Sequence, residues 1–146
     1  MITNAYDYIN FEDKTQYLFV SDGQKGQIVK MVVFTLIKDD LWNLGFGDLQ
    51  KGLIDGSVIS NNYDIVRTIS TVAKIAYEFS DEFPLRRIHI EPVDEKRKRL
   101  YNHVFRRHYD AIIADFQITG YVHQKEEVYS PKKNYDIFEL KRRFVQ

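Results

Sequence analysis

Between Lys96 and Arg107 the chain sets Lys96, Arg99, His103, Arg106 and Arg107 within one sector of a helical wheel turning about 100° per residue. Clustered cations on one helix face have two chemical uses. They attract an acidic protein surface, or they neutralise phosphates and release the counterions condensed there, so a protein partner and a nucleic acid are both readable from this face. Arg97 stands apart, on the stripe that also carries Leu100, Tyr101, Val104, Phe105 and His108. It either snorkels to water or is buried against a carboxylate or bound anion, and Asp48, Asp64 and Glu91 are the candidate acids.

The remaining chemistry is sparse. The four histidines, at 89, 103, 108 and 123, lack the spacing of a zinc site, so no metal is expected. The absence of cysteine removes thiolate nucleophiles, disulfides and thiolate metal sites. No phosphate-cradling glycine loop and no serine-hydrolase elbow is present. Phe46, between Gly45 and Gly47, is a further binding candidate, because paired glycines inside a strand mark a bulge, a close approach by a ligand or backbone, or room for a neighbouring aromatic ring.

The elements that must position these residues follow from periodicity and punctuation. Residues 1–14 read as an irregular arm with Tyr6, Tyr8 and Phe11 docked on the body. Alternation over Tyr17–Ser21, the glycine turn of Asp22–Gly26 and the β-branched run Gln27–Ile37 predict a hairpin, and Trp42–Leu49 a third strand. Leu53–Ile59 reads as a short fourth. Asn61 or Asn62 is the expected cap of a helix reaching about Phe79, with Asp64 in its first turn and Ile65, Ile69, Val72, Ala76 and Phe79 facing the core. Arg87–Glu91 predicts a strand and Asp94 the cap of the basic helix, which runs to about Tyr109. A short helix over Ala111–Phe116 extends or follows it. Two strands, Gln117–His123 and Tyr135–Lys141, flank a charged loop.

Composition bounds the rest. A chain of 146 residues, 44% hydrophobic and 14% aromatic, suits one folded domain with one core. Net charge is zero, yet residues 1–85 hold seven Lys/Arg against twelve Asp/Glu, while residues 86–146 hold fourteen against nine. The two halves either attract each other or meet different partners. The acidic start lacks the features of a signal peptide and no apolar run is long enough to span a membrane, so a cytoplasmic protein with no membrane partner is expected.

The ordered set NLGFGD, IDGSVISNNYD, VRTISTVAKIAYEFSDEFP and IHIEPVDEKRKRLY resembles a family of small single-domain proteins of unknown function common in Bacteroidota, over roughly residues 15–120. In that family Gly-Ser-Thr usually follows the strand, where this chain has Glu91-Pro92-Val93. A looser resemblance is to the GNAT acyltransferases, whose later half runs strand, helix, strand, helix, strand, strand. In those enzymes a Leu-Tyr pair on the helix after the fifth strand places a tyrosine to protonate the departing coenzyme A thiolate. The resemblance implies Tyr101, after Leu100, as general acid and Glu91 as base, with acyl-CoA the only cofactor. The glycine loop by which those enzymes hold pyrophosphate has no counterpart in SNNYDIVRT. Tyr101 is otherwise a core aromatic.

The fold expected is α+β, a mostly antiparallel sheet of five to seven strands with two main helices in GNAT-like order. The leading functional expectation is a non-enzymatic interaction module that meets a protein partner, or a second copy of itself, through the basic helix face.

Overall fold

The computed structural model describes residues 4–50, 53–55 and 62–144. The chain forms two compact units interleaved in sequence, one from Met1–Thr35 and Leu44–Glu82, the other from Leu36–Asn43 and Phe83–Gln146.

The first unit is an antiparallel sheet with one helix. Its strands are β1 (Tyr8–Phe11), β2 (Gln16–Gly23), β3 (Gly26–Lys38), β4 (Leu41–Gln50) and β5 (Leu53–Asp55), paired in that order, and its helix is α1 (Ile65–Glu82). Glycine shapes the β2–β3 hairpin. Gly26 adopts φ +87°, which a side chain resists, and pairs with Gly23 across a loop of Gln24 and Lys25. Apolar residues at alternate positions build the core: Tyr17 and Phe19 of β2 and Val32 and Phe34 of β3 are buried, and Phe34 stacks on Phe79 of α1 with ring centroids 3.8 Å apart. The expected arm therefore contains a strand. Residues 8–11 join the sheet, Tyr8 opposite Phe19, and Tyr6 is buried against the ring of Phe19.

The expected core stripe of α1 is rotated. Ile65 and Val66 are 48% and 74% exposed, while Thr68, Thr71, Ile75 and Phe79 point inward. Hydroxyl groups explain the difference: the Thr71 Oγ1 accepts the backbone N–H of Tyr6 at 2.8 Å and donates to the Arg67 carbonyl, so a polar side chain is satisfied inside. The fourth strand is described only at Leu53–Asp55, and the remainder of the expected run lies outside the described residues.

The second unit combines two helices with a mixed ladder. The first residues of β4 pair in parallel with β6 (Arg87–Ile90), and β6 pairs with β9 (Ile137–Arg142). In turn β9 pairs with β7 (Phe116–Val122), and β7 with β8 (Lys125–Val128); these last contacts are antiparallel. Helices α2 (Glu95–Arg107) and α3 (Tyr109–Asp115) precede β7. A parallel pair needs a crossover rather than a turn, and the connection from β4 to β6 contains α1. Register lines Ile88, Leu140 and Ile118 up across three strands, and all three are buried. Phe105 of α2 stacks on Phe138 at 4.2 Å. Asn102 pins the same side: its Oδ1 accepts the Tyr135 N–H at 2.8 Å and its Nδ2 donates to the Tyr135 carbonyl at 2.9 Å.

The protein is thus a mixed α+β structure with a mostly antiparallel sheet, and the described residues hold nine strands and three helices rather than five to seven and two. The additional strands are short. β1 lies in the segment expected to be irregular, and β8 lies inside the charged loop, with every residue exposed and order supplied by β7. No helix among the described residues is long and apolar enough to cross a membrane.

Candidate functional site

Helix α2 begins where expected. Asp94 holds extended backbone angles and its carboxylate accepts the Arg97 N–H at 2.8 Å, satisfying one of the donors that a helix start leaves open. The same carboxylate grips the Arg97 guanidinium. The backbone bond from Arg97, with the neighbouring positive charges, holds the Asp94 carboxyl below its usual range. Arg97 is accordingly a half-buried side chain paired with its own cap. None of the three acids named from the sequence is its partner: Asp48 bridges Lys30 at 2.8 Å, Asp64 accepts the Tyr6 and Ser21 hydroxyls, and Glu91 pairs with His89 at 3.0 Å.

The outer face of α2 is as the periodicity implies. Lys96, Arg99, His103, Arg106 and Arg107 are all exposed. Arg106 is braced, its Nε donating to the Pro131 carbonyl at 3.1 Å and its Nη2 to the Asn134 Oδ1 at 2.6 Å. Lys98, one turn inward, is neutralised by Asp136, whose hydrogen bond raises the lysine pKa and lowers that of the acid. Lys96, Arg99, His103 and Arg107 form no hydrogen bond or salt bridge with any described residue. A groove of about 370 Å³ runs beside them, lined by Glu95, Lys98, Arg99, Asn102, Arg106 and Asn134.

The other candidates are not drawn together. Tyr101 is half-buried on the inner stripe with its pKa raised by burial, against the opposing charge of Arg97, and no hydrogen bond joins it to Glu91. Phe46 belongs to the first unit, where it stacks on Phe19 at 6.3 Å with the Lys30 ammonium 5.8 Å from its ring. No group of three or more His, Asp or Glu side chains among the described residues is arranged to hold a metal ion.

Two polar clusters went unread in the sequence. Arg87 bridges Asp40 at 2.7 Å and Glu139, whose second oxygen accepts the Tyr121 hydroxyl at 2.7 Å, and that bond leads in raising the Tyr121 pKa. Their partners are 18 to 52 residues apart, so only the strand register reveals them. The second cluster centres on Asn62, expected to cap α1. Its side chain clamps the β2–β3 turn instead: Oδ1 accepts the Lys25 N–H at 2.6 Å, and Nδ2 donates to the Gly26 carbonyl at 2.8 Å and the Ser21 Oγ at 3.0 Å. Gly23 makes the approach possible, since a Cβ there would lie 2.1 Å from the Asn62 carbonyl oxygen. Asp64 stands just before α1, and its alternative capper Asn61 lies outside the described residues. Asn62 is therefore a brace on the β2–β3 hairpin.

The chain belongs to a family of unknown function (DUF6934), whose model matches residues 3–143. No curated protein and no solved structure matches it.

Proposed function

From membership of a family without an assigned activity, and from the state of α2, we propose that this chain is a non-enzymatic interaction module that engages an acidic protein surface through the outer face of that helix. The observation that carries the reading is the charge left unmatched there. Lys96, Arg99, His103 and Arg107 sit exposed without salt bridges, while the neighbouring Lys98 is neutralised by Asp136 and Arg106 is held in place. Cations already free of intramolecular partners give up no pairing when a carboxylate arrives, and a braced arginine gives up less side-chain freedom.

The test is anisotropy of a labelled Asp/Glu-rich peptide against the wild type and the charge reversal Lys96→Glu/Arg99→Glu/Arg107→Glu. Binding to the wild type and loss in the reversal is expected. Tighter binding of random single-stranded RNA than of the peptide would replace this reading with a nucleic-acid accessory role.

A second reading is favoured by the order of elements. The succession β4, α1, β6, α2 and then the β7–β9 strands supports a GNAT-like arrangement, and burial keeps Tyr101 protonated, as a general acid for acyl-CoA chemistry must be. Against it, Asp64 precedes α1 and the Asn62 carboxamide is committed to the hairpin, so this helix start offers an anion little. Isothermal titration with acetyl-CoA separates the two, because the interaction reading predicts no heat.

A further inference from the structure

Resting on the reading of α2 as a docking face for acidic protein, we propose that the groove beside it is a peptide site that reads charge order, taking an extended segment of the form basic-x-acidic-x-acidic. Along the groove the helix presents Glu95, then Arg99, then Arg106. Lys98 contributes little field of its own, being paired with Asp136. The complement of minus, plus, plus is plus, minus, minus.

The spacing fits an extended chain. Glu95 and Arg99 are one turn apart, about 6 Å along the axis, and Arg106 lies about 10.5 Å further. An extended peptide places every second side chain on one face, about 6.8 Å apart, so a base and two acids at alternate positions span about 13.6 Å. The remaining few ångströms lie within the reach of glutamate and lysine side chains. Two further features suit a peptide. Arg106 is held by Pro131 and Asn134 before any ligand arrives, so a carboxylate meets a fixed guanidinium edge. The Asn134 Oδ1 is used by Arg106, whereas its Nδ2 donates to no described residue and is free for a peptide carbonyl.

The experiment compares three labelled peptides, Lys-Ser-Glu-Ser-Glu, its isomer Glu-Ser-Lys-Ser-Glu, and Glu-Ser-Glu-Ser-Glu, by anisotropy against the full chain. The first should bind the wild type about fivefold more tightly than its isomer, the size expected of one or two exposed ion pairs. Arg99→Ala and Arg106→Ala should each weaken it about threefold to tenfold, and Asn134→Ala should weaken it while leaving the helical circular dichroism unchanged. Glu95→Lys should invert the preference toward Glu-Ser-Glu-Ser-Glu, with Glu95→Gln intermediate. If the two isomers bind equally while the charge reversal of the outer face still abolishes binding, the groove does not read charge order, although the helix remains an acidic-protein surface. If no peptide binds at all, both the groove and the broader reading fall.

Discussion

Asn62, with 1% of its surface exposed, spends its carboxamide on Ser21, Lys25 and Gly26 of the β2–β3 hairpin, and its backbone carbonyl also accepts the Gln24 N–H at 3.2 Å. Removing the carboxamide takes the bonds from the Lys25 N–H, the Gly26 carbonyl and the buried Ser21 hydroxyl. Asn62→Ala should therefore destabilise the chain by about 2–3 kcal/mol in urea unfolding, while Asn62→Asp should also destabilise it because a carboxylate cannot donate to Gly26. The buried Lys30–Asp48 pair, 1% and 4% exposed, behaves differently. Lys30→Met alone leaves a buried acid and should cost about 3–5 kcal/mol, whereas pairing it with Asp48→Leu should recover most of the loss. Two further groups set pH limits. Burial works to raise the Asp64 pKa, but the hydroxyl bonds from Ser21 and Tyr6 outweigh it and hold the carboxyl low. Its contribution is present above the ordinary carboxylate pKa and is lost as pH falls through the lower folded value. Tyr8 is pushed up to about 12 by burial and by its bond to Glu78, so the stability it supplies is complete below the ordinary 10.0 and fades as pH rises toward about 12. Melting temperature against pH should drop on both flanks, and Tyr8→Phe should flatten the alkaline one. These residues were hidden in the sequence because each acts on a partner far along the chain. Asn62 had the look of a helix cap, and only its distance from Ser21 and Gly26 in space shows the clamp.

At the scale of elements, the two long helices were not equally legible. For α2, charge and hydropathy agree: the exposed cations and the buried Phe105 fall on opposite sides, and Asp94 caps it as its position before the basic run implies. For α1, hydropathy misleads, because threonines and serines occupy the buried face, Thr71 and Ser80 bonded to backbone carbonyls, and Ile65 and Val66 are left outside. A direct contrast follows. Phe79→Ala, at a fully buried ring stacked on Phe34, should cost about 3–5 kcal/mol. Ile65→Ala should change stability by no more than about 0.5 kcal/mol. Comparable losses at both sites would restore the stripe anchored on Ile65. The strands show the same division. β2 announces itself by alternation and β3 by its β-branched run, whereas β8, built from Lys125, Glu126, Glu127 and Val128, is ordered only by its register with β7 and carries no apolar pattern to read.

For the whole molecule, a net charge of zero conceals a basic second half, and within it a helix whose outer cations are left without salt bridges. Family membership covers residues 3–143 and leaves the activity to chemistry. The strand over NLGFGD and the basic helix were legible; the groove was not, because Asn134 and Arg106 are 28 residues apart and meet only when the β8–β9 connection folds against α2. The central claim is that this helix face is an electrostatic docking surface for acidic protein. Its most direct measurement is the affinity of the full chain for an Asp/Glu-rich peptide from about 50 to 200 mM salt, a range over which screening of exposed charges strengthens markedly. The account predicts binding that weakens steadily with salt and that Lys96→Glu/Arg99→Glu/Arg107→Glu abolishes without lowering the melting temperature. Salt-independent binding, or full affinity in the reversed helix, would contradict it.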